Sequence, residues 1–238
     1  MQAVLMAGGK GTRLRPFTTI LPKPLVPVGE IPILEMVLRQ LRFYGFDRVC
    51  ISVGHKAELV MAVIGDGKRL GLDVSYYHET QPLGTIGSLA CIDDLEENFL
   101  VMNGDICTNL DFGEFLRAHV ASGALATVST FARREQIELG LVKVDGPDGK
   151  VVAFHEKPTY DFLVSMGVNA FQKTIRNLIP PARAFGFDAL MLAMLDCGLD
   201  VRSRTFGGVW HDIGRVDDYD RMLQDFRDNP TVFLPEGA

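Results

Sequence analysis

The chain has 238 residues, of which 47% are hydrophobic, and it carries a formal net charge of −6. This length is sufficient to bury the core of one α/β domain. The acidic balance argues against a nucleic-acid polymer as partner, because polyphosphate backbones are usually met by a basic face. No apolar run approaches the ~20 residues that cross a bilayer, and no basic stretch precedes an apolar one at the N-terminus. We therefore expect a cytoplasmic protein with no membrane partner.

The first 120 residues predict strands and helices in alternation. A strand over 2–6 leads into a glycine-rich turn, and Pro32 opens a helical pattern that Gly45 ends. Further segments predict a strand at 49–53, a helix at 57–64 and strands at 74–77 and 99–102. This alternation predicts an α/β fold, with a Rossmann-like, mostly parallel sheet and helices on both faces. Ligands of such sheets bind at the carboxyl ends of the strands.

Beyond residue 120 the predicted elements are shorter. Strands are expected at 124–130, 140–144 and 151–154, the last two joined by the turn residues 146–149. Helices are expected at 173–178, 187–196 and 216–227, followed by a loosely ordered tail at 229–238. No linker or internal repeat interrupts the chain, so we expect a single domain over 1–238.

A group of residues suited to phosphate follows the first strand. Three glycines between residues 8 and 11 let backbone amides approach an anion closely. Arg13 offers a planar cationic fork, and Lys23 is held between two prolines that restrict its backbone. The order fits neither a P-loop nor the dinucleotide G-x-G-x-x-G pattern, whose third glycine is replaced by Leu14. The glycines alone would also fit an ordinary strand-to-helix turn, but the added cations favour a phosphate-binding loop.

Two aspartates each lie just past a predicted strand. Asp105 follows the strand at 99–102, and Asp212 lies between Trp210 and Gly214. At one edge of a sheet they could hold a hard cation through oxygen ligands, and Mg²⁺ is the natural candidate. Each also has a structural alternative, since Asn-Gly-Asp favours turns and Asp212 could cap the helix that follows.

The histidines and cysteines do not form a pattern of their own. Their spacings give neither an H-E-x-x-H nor a C-x-x-C arrangement. The four cysteines are widely spaced, and we expect them to be reduced and structural.

The motifs, taken together and in this order, resemble those of the sugar-1-phosphate nucleotidyltransferases, also called nucleotide-sugar pyrophosphorylases. The matching segments are Gly8-Gly9-Lys10-Gly11-Thr12-Arg13-Leu14, Pro22-Lys23-Pro24, Gln81-Pro82-Leu83-Gly84-Thr85, Asn103-Gly104-Asp105, Glu156-Lys157-Pro158 and Trp210-His211-Asp212-Ile213-Gly214. The resemblance implies the nucleotide-diphospho-sugar transferase fold. It also implies an enzyme that converts a nucleoside triphosphate and a sugar 1-phosphate into a nucleoside diphosphate sugar and pyrophosphate. Residues 1–120 would mainly bind the nucleotide and residues 121–228 mainly the sugar phosphate.

The resemblance also implies roles for individual residues. Catalytic roles fall to Arg13 and Lys23, and binding of Mg²⁺ falls to Asp105 and Asp212. Nucleotide-binding roles are implied for Ala7, Gly8, Gly9, Gly11, Thr12, Gln81, Gly84, Thr85, Asn103 and Gly104. Sugar-phosphate-binding roles are implied for Gly140, Glu156, Lys157 and Ser165. Relatives usually carry N-A-G where this chain has Ser165-Met166-Gly167, which leaves the identity of the sugar open.

The overall pattern favours GTP or UTP, with a mannose-like, heptose-like or amino-sugar phosphate as acceptor. Two other functions fit parts of it. One is a non-catalytic regulatory subunit that senses nucleotide sugars, and the retained charged residues count against it. The other is an NAD(P)-binding oxidoreductase, and the missing third glycine counts against that. The sequence leaves the oligomeric state open, with a homo-oligomer among the options.

Overall fold

A computed structural model describes residues 1–9, 11–235 and 237 of the chain. The strands are β1 (Gln2–Ala7), β2 (Pro27–Val28), β3 (Ile31–Pro32), β4 (Arg48–Val53), β5 (Asp73–His78), β6 (Asn98–Asn103), β7 (Ile106–Thr108), β8 (Ala126–Gln136), β9 (Leu141–Asp145), β10 (Lys150–His155), β11 (Thr159–Gln172), β12 (Val201–Phe206) and β13 (Trp210–Asp212). The α-helices are α1 (Ile33–Phe43), α2 (Ala57–Ile64), α3 (Phe112–Ser122), α4 (Phe187–Asp196), α5 (Val216–Asp228) and α6 (Pro230–Phe233). Short 3₁₀ turns cover Thr12–Leu14, Phe17–Thr19, Lys23–Leu25, Lys68–Leu70, Gly87–Ala90 and Lys173–Leu178.

Seven strands form the central sheet, in the order β12-β8-β11-β6-β1-β4-β5. Strands β6, β1, β4 and β5 are parallel to one another, and β12 is parallel to β8. Strand β11 runs antiparallel to both of its neighbours, β6 and β8. The predicted mostly parallel sheet is confirmed, and strands from both parts of the sequence belong to it.

Helices cover both faces of this sheet. Successive side chains of a strand point to opposite faces, and in β1 the residues Ala3 and Leu5 pack in one buried cluster while Val4 packs in the other. The first cluster also takes apolar residues of α1, α2, α3 and α5, and the second takes those of α4. Because β1 is buried on both faces, its sequence is a continuous apolar run, and its carboxyl end opens at one edge of the sheet.

Strand β8 extends beyond the strand predicted at 124–130, and the prediction missed β11 altogether. Their outer parts, 132–136 and 159–163, pair with each other beyond the main sheet. Between them β9 and β10 form a two-stranded antiparallel hairpin. We call residues 132–163 the arm. Large apolar side chains such as Leu139 and Phe154 are exposed on it. A search for apolar residues that face a buried core could therefore not have revealed its length.

The predicted loosely ordered tail is wrong for residues 230–233, which form α6. Phe233 is only 1% exposed, and its carbonyl oxygen accepts a hydrogen bond of 2.6 Å from the buried amide of Gln40. One buried aromatic side chain anchors this segment, and a single residue gives no periodicity for the sequence to show. Of the predicted tail, Glu236 and Ala238 lie outside the described residues.

All four cysteines are free, and Cys50 and Cys107 are buried. In the described parts of the chain, every helix is too short or too polar to traverse a lipid bilayer.

Candidate active site

The glycine loop, described for residues 8, 9 and 11–13, begins where β1 ends at the carboxyl edge of the sheet. Gly11 has a φ of +59°, and a Cβ atom there would lie 3.0 Å from Lys23 Cβ and 3.0 Å from Thr18 Cγ2. The Thr18 hydroxyl donates a hydrogen bond of 2.8 Å to the Gly11 carbonyl oxygen. A glycine is needed at this position, because a side chain would be strained and would push the loop away from Lys23. The loop is thereby packed directly on the segment that carries Lys23.

A cavity of about 690 Å³ lies beside this loop. The residues predicted to bind nucleotide or phosphate that line it are Gly8, Gly9, Gly11, Thr12, Arg13, Lys23, Gln81, Gly84, Thr85, Asn103 and Asp105. We call it the nucleotide-side cavity. Ala7 and Gly104 do not line it. The Gly104 amide donates to the Met6 carbonyl oxygen at 2.9 Å, and a Cβ at Gly104 would lie 3.4 Å from Ala7 Cβ, so these two residues form the packing behind the cavity wall.

Lys23 and Asp105 form an ion pair at the wall of the nucleotide-side cavity. Their side chains are 14% and 20% exposed, so each charge needs the other as compensation for the water it has lost. Beneath them, burial raises the pKa of the Cys107 thiol, and the Asp105 charge raises it further. The pair places one cation and one anion at the carboxyl edge of the sheet, next to the glycine loop.

Asp212 is brought next to Asp105 by a short pair of strands. Strand β13 runs antiparallel to β7 with Asp212 opposite Ile106, the residue that directly follows Asp105. The pKa of Asp212 is raised, first by removal of water from its carboxyl and second by the negative charge of Asp105, while Lys23 and Arg13 act in the opposite direction. Two carboxylates that are 107 positions apart in the sequence therefore interact electrostatically.

The helix-capping alternative for Asp212 is wrong. Helix α5 begins at Val216 with Arg215 as its N-cap residue, and the Arg215 amide donates to the Asp218 carboxylate at 3.0 Å. Asp218 supplies the capping carboxylate, which leaves Asp212 available for another role. The turn alternative for Asp105 holds for its backbone, since residues 104 and 105 form a turn between β6 and β7.

The chemistry of Asp105 and Asp212 fits a hard divalent cation. Within residues 1–9, 11–235 and 237, no cluster of three or more histidines, cysteines or acids could hold a metal by itself. Mg²⁺ uses one or two carboxylates and completes its octahedron with water and phosphate oxygens. A divalent cation between the two carboxylates would also relieve the repulsion that raises the pKa of Asp212.

A second cavity, of about 180 Å³, adjoins the first. The two cavities share Thr85 and Asn103, and Ser165 and Asp212 line the second. Trp210 forms part of its wall and donates a hydrogen bond of 3.1 Å from Nε1 to the Met166 carbonyl oxygen. We call it the acceptor-side cavity. Asp105 lines one cavity and Asp212 lines the other, so the two carboxylates lie where the cavities meet.

The segment from Gln81 to Thr85 is held by the chain just before α4. The Gln81 amide donates to the Ala182 carbonyl oxygen at 2.9 Å. The Thr85 hydroxyl accepts a hydrogen bond of 2.8 Å from the amide of Phe187, the first residue of α4. Thr85, which lines both cavities, is therefore held in place by the start of α4.

Three of the residues implied in sugar-phosphate binding lie on the arm and line neither cavity. A Cβ at Gly140 would lie 2.4 Å from the Phe154 ring and 3.0 Å from Glu156 Oε2, so glycine allows this close packing. The Lys157 ammonium lies 3.3 Å from Glu138 Oε2. The structure brings Gly140, Glu156 and Lys157 together at the base of the β9–β10 hairpin, next to the outer ends of β8 and β11. It places only Ser165 of this group at a cavity.

Sequence reasoning missed Glu79 in the nucleotide-side cavity. Its Oε1 accepts a hydrogen bond of 2.8 Å from the Ser52 hydroxyl, and its Oε2 accepts one of 3.2 Å from the Leu83 amide. The signal was present, because Glu79 directly follows β5 just as Asp105 closely follows β6. Ser52 is a second signal, since it is a fully buried hydroxyl within the apolar strand β4.

Known proteins resemble this chain over most of its length. It is 31% identical to the UTP–glucose-1-phosphate uridylyltransferase of Synechocystis sp., over 92% of this chain and 61% of that protein. It is 32% identical to the mannose-1-phosphate guanylyltransferase of Mycobacterium tuberculosis, over 94% of this chain and 64% of that protein. The chain thus spans less than two thirds of the length of these relatives. The crystal structure of HddC from Yersinia pseudotuberculosis superposes with a TM-score of 0.73 at 25% identity, covering 94% of this chain and 99% of that one.

The comparison with family models gives the same answer for nearly the whole chain. The model described as "Nucleotidyl transferase" matches residues 2–229, which include the glycine loop, the two aspartates and the arm. The resemblance predicted from the sequence is confirmed, and the chain belongs to the nucleotidyl transferase family.

Proposed function

We propose that this chain transfers a nucleoside monophosphate from a nucleoside triphosphate to a sugar 1-phosphate. An oxygen of the sugar phosphate attacks the α-phosphorus and forms a new P–O bond. The bond from the α-phosphorus to the bridging oxygen of the β-phosphate breaks, and pyrophosphate leaves with that electron pair. The products are a nucleoside diphosphate sugar and pyrophosphate.

One observation carries this proposal: two adjoining cavities meet at a pair of carboxylates and a pair of cations. The nucleotide-side cavity is lined by Arg13, Lys23 and Asp105, and the acceptor-side cavity by Asp212. A reaction between two phosphate esters needs two neighbouring binding spaces and compensation of negative charge at their junction. The arrangement supplies both.

The nucleophile of this reaction is already an anion, so the site needs alignment and charge compensation more than a strong base. Arg13, with its planar fork, suits the departing pyrophosphate. Lys23 suits a phosphate near the junction, and in the ligand-free chain it neutralises Asp105. Asp105 and Asp212 would hold Mg²⁺, which when bound offsets negative charge on the phosphate oxygens.

The position of Glu79 favours guanine as the base. Asp105 lies at the end of β6 on one side of β1, and Glu79 lies beyond β4 at the end of β5 on the other side. A nucleotide with its phosphates near Lys23 would extend its base across the sheet edge towards Glu79. A carboxylate has about four acceptor positions, of which Ser52 and Leu83 use two. Guanine offers two adjacent donors, N1–H and N2–H, whereas uracil offers one donor between two carbonyl oxygens.

The acceptor is proposed to be a sugar 1-phosphate of the mannose, heptose or amino-sugar type. Ser165 lines the acceptor-side cavity and would contact the sugar there. Glu156 and Lys157 would reach the sugar and its phosphate from the arm, with Gly140 allowing their close packing. Mannose is the sugar named in the guanylyltransferase of M. tuberculosis.

The test is a matrix of nucleoside triphosphates against sugar 1-phosphates, with pyrophosphate release as the readout in the presence of Mg²⁺. We expect release with GTP and one class of acceptor, and no release when either substrate is omitted. The absence of release with every pair would contradict the proposal. Stabilisation by a nucleotide sugar without any turnover would instead support the regulatory function, and tight binding of NADH would support the oxidoreductase.

A further inference from the structure

The side chain of Asn169 has a buried amide oxygen that the described residues leave without a hydrogen bond. It lies on β11 opposite Val101 of β6 and Val128 of β8, in the middle of the central sheet. The residue is 5% exposed, and its Oδ1 has no hydrogen-bond partner among the described residues. An unpaired buried amide oxygen destabilises the folded chain, so its presence calls for a partner outside the protein.

The side chain lies at the acceptor-side cavity. Much of that wall is apolar, with Val101, Met102 and Ile106 among its lining residues. Asn169 is therefore a polar group set among apolar ones, the arrangement that fixes the orientation of a ligand in a binding site. Rotation of the carboxamide can offer either its oxygen or its nitrogen to the cavity.

A local irregularity of β11 accompanies this placement. Ser165 pairs with Thr130 of β8 and Asn169 pairs with Val128, so four steps along β11 correspond to two steps along β8. Between them Gly167 has a φ of +75°, and a Cβ there would lie 2.8 Å from the Asn103 amide nitrogen. Bulges of this kind re-aim side chains beside active sites. Here the bulge separates two polar residues, Ser165 and Asn169, that line the same cavity.

We propose that Asn169 is a specificity-determining residue whose carboxamide hydrogen-bonds a hydroxyl group of the sugar 1-phosphate. This inference rests on the proposed function. The hydroxyl donates to Oδ1 or accepts from Nδ2, and it provides the partner that the fold does not. A sugar lacking that hydroxyl leaves the buried amide unpaired, and sites built to pair a substrate hydroxyl reject such analogues strongly. The site therefore selects acceptors that carry a hydroxyl where the ring meets β11.

The test uses the sugar 1-phosphate that the unaltered chain accepts, together with its monodeoxy analogues. Each is assayed for kcat/KM of pyrophosphate release with the unaltered chain and with Asn169→Leu, whose side chain has the same branching and number of heavy atoms but no polar atom. We expect one deoxy analogue to lower kcat/KM of the unaltered chain by about 10- to 100-fold. In Asn169→Leu the parent sugar should lose most of this advantage, so that parent and deoxy analogue become nearly equal.

Stability provides a second readout that separates binding from a structural role. Replacing an unpaired buried amide by an apolar group removes a desolvation cost, so Asn169→Leu should unfold at the same temperature as the unaltered chain or higher while its discrimination is lost. Thr127→Val serves as the matched control. Thr127 is a buried polar residue of the neighbouring strand β8 whose hydroxyl lies 2.8 Å from His119 Nδ1, and it lines neither cavity. This control should keep the full preference for the parent sugar.

Three results would decide against the inference. The first is an active Asn169→Leu variant in which the ratio of kcat/KM for the parent sugar to kcat/KM for the deoxy analogue equals that of the unaltered chain. This result would show that the amide binds only water. If Asn169→Leu fails to fold, Asn169→Ser gives the same test, because its shorter hydroxyl does not reach as far, and unchanged ratios there would also overturn the assignment. A chain that releases no pyrophosphate with any substrate pair would overturn the proposed function, and this inference with it.

Discussion

The edge of the sheet and the arm carry two parts of one implied set of site residues, but they hold them differently. At the sheet edge, Lys23 and Asp105 are largely enclosed, with 14% and 20% of their side chains exposed. On the arm, Lys157 and Glu138 are 51% and 72% exposed. An enclosed ion pair is positioned by the structure around it, whereas an exposed pair gains little from its mutual attraction. The difference indicates that the charged residues at the sheet edge are prearranged, whereas solvent leaves those on the arm free to reorient.

Removal of a charge from the enclosed pair should have the largest effect. In Asp105→Asn the Lys23 ammonium loses its charged partner, and the junction loses one of the two carboxylates proposed to hold Mg²⁺. We expect pyrophosphate release to fall by about 10²–10³-fold, as when one electrostatic contact to a reacting group is removed. Steady-state release at saturating Mg²⁺ measures the change.

The matched control for Asp105→Asn is Asp200→Asn. Asp200 is an exposed carboxylate paired with Arg202 at 2.8 Å, and it lines neither cavity. Equal rates in the two variants would show that the carboxylates at the junction have no catalytic use.

The sequence predicted the sheet edge well for a physical reason. Parallel strands buried on both faces leave long apolar runs, and the polar residues that follow them must meet at one edge. Asp105 and the glycine loop could be placed in this way. Asp212 was also expected at the end of a strand, but its role beside Asp105 depended more on the resemblance, because β13 is only three residues long and gives little pattern of its own.

The arm and Asn169 could not be placed in the same way. The exposed strands of the arm bury little on either face, so alternation gives no clue to their extent. Asn169 lies at a bulge, where the regular side-chain period of a strand fails, and no spacing rule applies to it. Glu79 could have been found by extending to β5 the reasoning that identified Asp105.

A change at Glu79 tests how the prearranged side selects its base. In Glu79→Gln one acceptor becomes a donor, so the side chain matches the N3–H and carbonyl oxygen of uracil better than the two donors of guanine. We expect the ratio of kcat/KM for GTP to that for UTP to fall by roughly 5- to 150-fold, the discrimination of one bidentate base contact. Competition between the two triphosphates measures this ratio directly.

Glu58→Gln is the control for the change in base preference. Glu58 lies in the first turn of α2, outside the lining of the nucleotide-side cavity. A GTP to UTP ratio that stays the same in Glu79→Gln would place the base elsewhere in the cavity.

A smaller effect is expected when the exposed side is altered. In Lys157→Ala the KM for the sugar 1-phosphate should rise by about 10-fold, the contribution of a hydrogen bond to a charged group, while the KM for the triphosphate stays constant. Lys150→Ala is the control, since Lys150 lies at the opposite end of the same hairpin. If the KM for the sugar 1-phosphate rises equally in both variants, the arm contributes only its overall positive charge and no specific contact from Lys157. If neither changes KM, the acceptor phosphate binds without the arm.

The smallest effect on turnover, and a clear one on stability, is expected from the two ion pairs of Glu35, a buried carboxylate of α1. Glu35 of α1 accepts hydrogen bonds of 2.7 Å from Arg69 and 2.8 Å from Arg39. The Arg69 hydrogen bond, followed by that of Arg39, holds the pKa of Glu35 below its ordinary value of 4.5 against the opposing effect of burial. A carboxyl whose pKa is lower in the folded chain stabilises it above the unfolded pKa, and this contribution disappears as the pH falls through the folded pKa. Glu35→Gln should therefore lower the free energy of unfolding at pH 7 by about 1.5–3 kcal/mol.

The pH dependence distinguishes this contribution from a loss of packing. As the pH falls from 4.5 through the lower pKa that Glu35 has in the folded chain, the unfolding free energies of Glu35→Gln and the unaltered chain should converge, because below that folded pKa Glu35 carries its proton in both states. Asp161→Asn on the arm gives the contrast: its carboxylate pairs with Arg134, but both side chains are mostly exposed. We expect no resolvable shift of Tm in that variant, because solvent screens the pair. Equal destabilisation of the two variants would mean that an exposed ion pair of the arm is as well held as those of the buried Glu35 carboxylate, and the contrast between enclosed and exposed pairs would fail.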